Sequence, residues 1–249
     1  MTGVRLRSRP VDQRDRDWRP GGRQRRWMRR SWMWILLGAV VAVLAAALWA
    51  VVWSPLLGVR QITVRGSMHY LTRAEVEQVA EVPHGRSLVR LDTGVIDHRV
   101  EGLPEIATVN VAADYPSTVV ITVTERVAVG YVTSGSDVHL VDRTGRQFHT
   151  VTSAPRGLPR LQVADGPRAQ ASAAAAATAA SALPASVLSL LATVQADDPA
   201  GISLVLRDNR IVRWGGPDRS ADKARVLSAL LARPGTVFDV SDPDLVYTR

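Results

Sequence analysis

The chain is 249 residues long, with 31 basic against 23 acidic side chains and a formal charge of +8. It has no cysteine, which excludes disulfide stapling, thiolate nucleophiles and cysteine-based metal sites. The whole surplus of charge lies in residues 1–30, where eleven arginines face only Asp12, Asp15 and Asp17; the remainder balances to zero.

From Ser31 to Val59 there is no charged residue. A bilayer core about 30 Å thick needs roughly 20 helical residues at ~1.5 Å each. The window Trp34–Trp53 supplies them, with Trp32 and Trp34 at one end and Trp49 and Trp53 at the other, where headgroups favour indole. An Arg-rich flank beside such a span stays cytoplasmic. The sequence therefore predicts a cytoplasmic tail over 1–30, a transmembrane helix region over 31–58, and the bulk of the chain outside. A cleavable signal peptide is the rival, since Ala45 and Ala47 form an A-x-A site, but the apolar run continues past it. Nucleic-acid binding by the tail is a second rival, and no recognition motif accompanies the charge. Gly38, Ala42, Ala46 and Ala50 recur every four residues and make a small-residue stripe on one helix face, a surface on which a second helix can pack in lipid.

Residues 59–126 read in the order strand, helix, helix, strand, strand. Val59–Arg65 alternates as a strand does. Thr72 and Glu75 form a capping box, Val76, Val79 and Ala80 give the buried face, and Pro83 and Gly85 stop the helix. A second helix runs over about 94–101, capped near Asp92 or Thr93, with Ile96, Val100 and Leu103 inward. A hairpin follows, 107–113 against 119–123, joined by Asp114-Tyr115-Pro116-Ser117 and apolar on one face only.

Residues 127–249 read as a mixed, β-rich domain. Val138–Asp142 turns at Gly145 and returns through Arg146–Val151. Ala169–Leu183 holds ten alanines in fifteen residues, which is either a helix, since Ala is the best helix former, or a flexible linker. Pro184 begins a helical turn reaching Leu191. Ile202–Arg207 and Arg210–Trp214 flank Asp208-Asn209 as a tight hairpin. Ser220–Ala232 is a helix with Ala224, Leu227, Leu230 and Leu231 on one face, Thr236–Val240 a short strand, and 245–247 another.

The first outer unit, placed directly after the anchor, resembles a POTRA domain. The run Tyr115–Arg126 and the segment Gly85–Asp92 are similar to the FtsQ/DivIB family of bacterial cell-division proteins. Gly157-Leu158-Pro159-Arg160-Leu161, the helix carrying Lys223 and the ending Val237–Ser241 extend that likeness; Ala128 departs from it, standing where a proline often follows the Glu–Arg pair. The resemblance implies an α+β chain: a single transmembrane helix, a POTRA domain (59–126) and an FtsQ-type β-domain (127–249). It implies a bitopic divisome scaffold, not an enzyme, at the plasma membrane of the division site. Its implied partners are small bitopic coiled-coil proteins of the FtsB/DivIC and FtsL kinds, bound by strand addition at the last sheet edge, matched here by Thr236, Val237, Phe238, Asp239, Val240 and Ser241. An exposed strand edge suits that role, because it offers free N–H and C=O groups. The other use of the strand is simply to close its own sheet.

Residues suited to chemistry are scattered. His69, His84, His98, His139 and His149 share no helical spacing that would converge on a metal. Ser220-Ala221-Asp222-Lys223 reads as an S-x-x-K tetrad, but the Lys-Thr-Gly strand that accompanies it in penicillin-binding enzymes needs a second lysine, and Lys223 is the only one. The blander reading is Ser220 as a helix cap. No cofactor, metal, nucleic acid or small-molecule substrate is expected. The alternative from another class is a membrane-tethered exported protein that binds or modifies cell wall. An outer-membrane transporter fails on length, since a barrel needs at least about eight strands.

Overall fold

A computed structural model describes residues 24–53, 57–245 and 247–248, with backbone alone at 24–31, 48, 51–53 and 247–248. The tail expected over 1–23 lies outside the described residues. The chain divides into two compact units at Ser54/Pro55.

The first unit is helix α1, Gln24–Trp53, 30 residues long. Its described side chains from Trp32 to Ala50 are all exposed. Among the described residues no helix is long and apolar enough to cross a membrane. The expected window Trp34–Trp53 runs through 48 and 51–53, whose side chains lie outside the description.

The second unit encloses two hydrophobic cores. The smaller is built from β1 (Gln61–Arg65), α2 (Arg73–Ala80), α3 (Thr93–Glu101), β2 (Ile106–Asp114) and β3 (Thr118–Glu125). This is the strand-helix-helix-strand-strand order expected from the sequence. The three strands lie in the order β1-β3-β2, with β1 parallel to β3 and β2 antiparallel to it. Thr72 starts α2 as anticipated: its Oγ1 accepts from Glu75 N at 3.3 Å while its own N–H donates to Glu75 Oε2 at 2.7 Å. Asp92 caps α3 by accepting from Gly94 N and Val95 N. Val76, Ala80, Ile96 and Val100 bury one helical face against Val119, Ile121 and Val123. Thr122 and Thr124 stay in solvent, so the sheet is covered on one side.

The larger core belongs to a nine-stranded sheet. Its strands are β4 (Ala128–Ser134), β5 (Asp137–Asp142), β6 (Gln147–Val151), β7 (Arg160–Val163), β8 (Leu191–Ala196), β9 (Ile202–Leu206), β10 (Ile211–Gly215), β11 (Val237–Asp239) and β12 (Tyr247–Thr248). In space they run β12-β11-β10-β9-β8-β7-β4-β5-β6. Consecutive strands in β4–β6 and β8–β10 pair antiparallel. Parallel pairs join β4 to β7, β7 to β8 and β10 to β11; in the last two the strands follow one another in sequence and so need a crossover. The helices that make the crossovers are α4 (Ala169–Ala182) with α5 (Ala185–Leu188), and α6 (Ser220–Leu230).

The alanine-rich stretch is thus the helix of its two readings. Ala175, Ala176, Ala177, Ala179 and Ala180 are all buried, and α4 lies against β4, β7, β8 and α6. Side chains of one carbon let the backbone come close. Gly145, at φ +80°, shows how close: a Cβ there would stand 2.4 Å from Ala174 N. The turn therefore needs glycine both for its left-handed backbone and for the approach of α4.

Three strands were not anticipated from sequence: β4, β7 and β8. The helical turn from Pro184 ends at Leu188, and Leu191–Ala196 becomes a central strand instead. Leu191, Val194 and Ala196 are fully buried between β7 and β9, and that burial outweighs local helical preference. Ser220 does not cap α6 as expected. The cap position is Arg219, at φ +52°, and Ser220 Oγ donates to Pro217 O at 2.6 Å.

Enlarging Ala176 to leucine overfills this contact, and we expect a loss of about 1–3 kcal/mol. Denaturant unfolding of the full chain in detergent measures it. Ala171→Leu, at an exposed position in the first turn of α4, serves as the comparison and is expected to change little.

Candidate functional site

Two places in the second unit stand out, one for its polar side chains and one for its strand edge: the junction of the two cores and the C-terminal end of the larger sheet.

The junction is organised by two adjacent residues, Glu125 and Arg126. The Glu125 carboxylate, 8% exposed, turns back into the smaller core and accepts three consecutive backbone N–H groups. His69 N donates to Oε2 at 2.5 Å, Leu71 N to Oε1 at 2.9 Å, and Tyr70 N reaches Oε1 at 3.1 Å. Arg126 faces the other way. Its Nε donates to Pro104 O at 3.0 Å and its Nη1 to Asp142 Oδ2 at 2.5 Å. Asp142 also accepts from Thr144 N and Oγ1 and from Arg146 N. Burial works against ionisation of Asp142, but the hydrogen bonds from Thr144, Arg126 and Arg146 outweigh it and hold the carboxyl below its ordinary range. Tyr70 meets Phe148 edge-on at 5.4 Å and His149 at 4.9 Å, and His149 Nδ1 lies 3.1 Å from Glu105 Oε1. Burial, with the Glu125 charge adding to it, raises the Tyr70 phenol and keeps it neutral.

At the C-terminal edge the structure corrects the sequence reading. Thr236–Ser241 does not form the last edge. β11 is flanked on both sides: parallel to β10 through Ile211↔Val237, Val212↔Phe238 and Arg213↔Asp239, and antiparallel to β12 through Phe238↔Thr248 and Asp239↔Tyr247. The cause is a return of the chain after Asp239. Asp239 Oδ1 accepts from Ser241 N and Oγ, and Asp242 Oδ1 accepts from Asp244 N. Asp244 then binds the Arg219 guanidinium through both oxygens at 2.8 and 3.2 Å. That contact raises the Arg219 pKa and lowers that of Asp244. Phe238 and Val240 are fully buried, with Arg210 5.7 Å above the Phe238 ring. Phe238 therefore belongs to the core and is not free to anchor a partner; Val237, half-buried, lies on the other face.

The remaining sequence candidates are dispersed. Gly38, Ala42, Ala46 and Ala50 all lie on α1 and are exposed. His98 sits 3.6 Å from Glu101, and His139 Nδ1 2.9 Å from Thr150 Oγ1. Among the described residues no group of three metal-ligating side chains comes together. In the S-x-x-K tetrad, Lys223 is 1% exposed and its Nζ donates to Gly216 O at 2.9 Å, while Ser220 Oγ is spent on Pro217 O. The pair holds a loop. What sequence reasoning missed is the junction: nothing local marks Glu125, Arg126 and Asp142 as a group, and only their long-range partners reveal the role.

Residues 57–126 match the model of an FtsQ-type POTRA domain, and residues 130–243 that of the FtsQ/DivIB C-terminal region. The chain is 39% identical over 213 residues to the cell division protein FtsQ of Mycolicibacterium smegmatis, covering 85% of this chain and 63% of that one. It is 35% identical over 236 residues to the FtsQ of Streptomyces venezuelae, covering 90% and 87%. A solved extracytoplasmic domain of the cell division protein DivIB from Geobacillus stearothermophilus is similar at 20% identity and a TM-score of 0.35, over 44% of this chain and 93% of that one.

The lowered pKa of Asp142 makes its contribution to stability fully present above the ordinary value of 3.8 and lost as pH falls through the folded-state value. Asp142→Asn is expected to flatten the acid limb of a stability-against-pH curve. Arg126→Ala, which leaves the carboxylate buried and unpaired, is expected to cost about 3 kcal/mol near neutral pH. Urea unfolding across pH 2–7 reads both.

Proposed function

Because the chain belongs to the FtsQ/DivIB family of cell-division proteins, we propose that it is a single-pass membrane scaffold of the divisome. It docks short bitopic coiled-coil proteins of the FtsB/DivIC and FtsL kinds and so links them to septal wall synthesis. The observation that carries this reading is the end of the nine-stranded sheet. β11 is three residues long and β12 two, so the sheet closes on a strand too short to protect it. Among the described residues no strand pairs with the outer side of β12, and an edge of that kind accepts an incoming extended segment. The partner strand pairs beyond Tyr247–Thr248 and continues the ladder begun by Thr236–Ser241. Val237 offers it a half-buried apolar neighbour, and Phe238 anchors β11 to the core on the other face.

The uncharged run from Ser31 onward supplies the single span, the Arg-rich tail holds the N-terminal side in the cytoplasm, and the second unit stands outside. The stripe Gly38, Ala42, Ala46 and Ala50 gives the span a face for a partner helix. Recruitment of this kind needs surfaces, not reacting groups. The domain limits follow the same logic: tail 1–30, anchor 31–58, POTRA domain 59–126, β-domain 127–249.

Replacing Tyr247 and Thr248 by proline removes the edge donors and leaves the buried Phe238 in place. The full-length variant is expected to reach the membrane and melt within a few degrees of the parent, yet fail to co-purify a co-expressed FtsB/DivIC-type partner. Capture at parental yield overturns the edge-pairing mechanism. Protease added to intact spheroplasts is expected to remove the second unit; its survival overturns the topology.

A further inference from the structure

One concave surface of the larger sheet serves neither the junction nor the C-terminal edge. It lies on the face opposite α4, where the loop 153–159 meets the starts of β7 and β8 and the end of β9. Arg156, Arg160 and Arg207 line it together with Tyr131, Gly157 and Thr193. Strand register places Tyr131, Arg160 and Thr193 in one row on that face, while Leu161, next in the chain, is buried on the other. No carboxylate and no side-chain amide lines the groove.

The three guanidiniums are uncompensated. Among the described residues none of them forms an ion pair; Asp208, beside Arg207 in the chain, is taken by Arg210 at 2.7 Å. Two are nonetheless held in place by neutral acceptors. Arg160 Nη2 donates to Thr133 Oγ1 at 2.8 Å, and Arg207 Nε donates to Ser189 O at 3.1 Å. The Arg207 backbone is fixed as well, its N–H donating to Leu190 O at 2.8 Å. Each guanidinium keeps further N–H donors pointing at solvent. Three like charges converging on one hollow raise the local positive potential and repel one another, and an anion relieves both.

The lining also says which anion. It is rich in donors: guanidinium forks, the Tyr131 and Thr193 hydroxyls, and the backbone at Gly157, which turns at φ +86°. Guanidinium forks match the paired oxygens of a phosphate. An acidic peptide would bring its own N–H groups into a hollow with no carboxylate or amide side chain to receive them. The geometry points to a binding site for a phosphate group, mono- or diester, carried either by a soluble molecule or by a lipid headgroup. This site is independent of the strand-addition edge.

The test uses the full chain in non-ionic detergent and in nanodiscs, at constant ionic strength. Inorganic phosphate, titrated by calorimetry against a chloride control, is expected to bind saturably to the parent. Arg156→Gln, Arg160→Gln and Arg207→Gln together are expected to weaken it by at least about tenfold, with the lysine versions intermediate. Saturable binding of inorganic phosphate assigns a soluble ligand. Dependence of melting temperature on phosphatidylglycerol over phosphatidylcholine, lost in the triple glutamine variant but not by removal of residues 1–23, assigns a headgroup. Identical behaviour of parent and triple variant with both probes overturns the site, as does tighter binding of hexaglutamate than of phosphate. Arg156, exposed and without an ion pair among the described residues, is also replaced singly, and urea unfolding of the single and triple variants at parental midpoints shows that the fold is intact.

Discussion

The second unit depends on a division of labour between two neighbouring side chains. A β-strand sends successive side chains to opposite faces. Glu125, the last residue of β3, lies on its core-facing side, and Arg126, just past the strand, reaches the other way. Glu125 gathers the N–H groups of residues 69–71 just ahead of α2. These are part-buried bonds to a charged acceptor, a kind that contributes about 1.5–3 kcal/mol each. Arg126 crosses to Asp142 at the end of β5, which is itself tied to its own turn through Thr144 and Arg146. One dipeptide thus fixes the helix start in one core and the β5–β6 turn in the other. Tyr70 and His149 close the seam between them.

The larger sheet is covered on one face by α4 and α6, and the covering is unusually close. Poly-alanine is a poor source of apolar area but a good spacer, because it sets the helix near the strands without voids. The bulk comes from the sheet and from α6: Trp214, Leu191, Leu204, Leu227 and Phe238 are all fully buried. Composition and packing explain each other here. A low-complexity segment that could have been a linker is instead the thinnest layer of the core.

Much of the fold was legible because local signals agree with global ones. The capping box at Thr72, the Asp92 cap, the 107–123 hairpin and the tight turn at Asp208-Asn209 each reflect chemistry within a few residues. What was illegible is long-range. β4, β7 and β8 are short, and β8 follows directly on a helical turn, so no period distinguishes it; only pairing on both sides makes it a strand. The edge was misplaced for a related reason. Two residues, Tyr247 and Thr248, decide whether β11 is terminal, and two residues carry no alternation. The junction escaped notice because Glu125 and its donors are separated by 54 to 56 residues.

Lys223 is the single lysine of the chain and it is sealed under the loop at Gly216. Every side-chain cation that the second unit shows to solvent, histidine apart, is therefore a guanidinium. Guanidinium groups do not deprotonate in the accessible range. Acetylating or amine-directed reagents find no side-chain amine there to neutralise. The positive half of this surface is in effect permanent, and any tuning of its field has to come from the carboxylates and imidazoles set among the arginines.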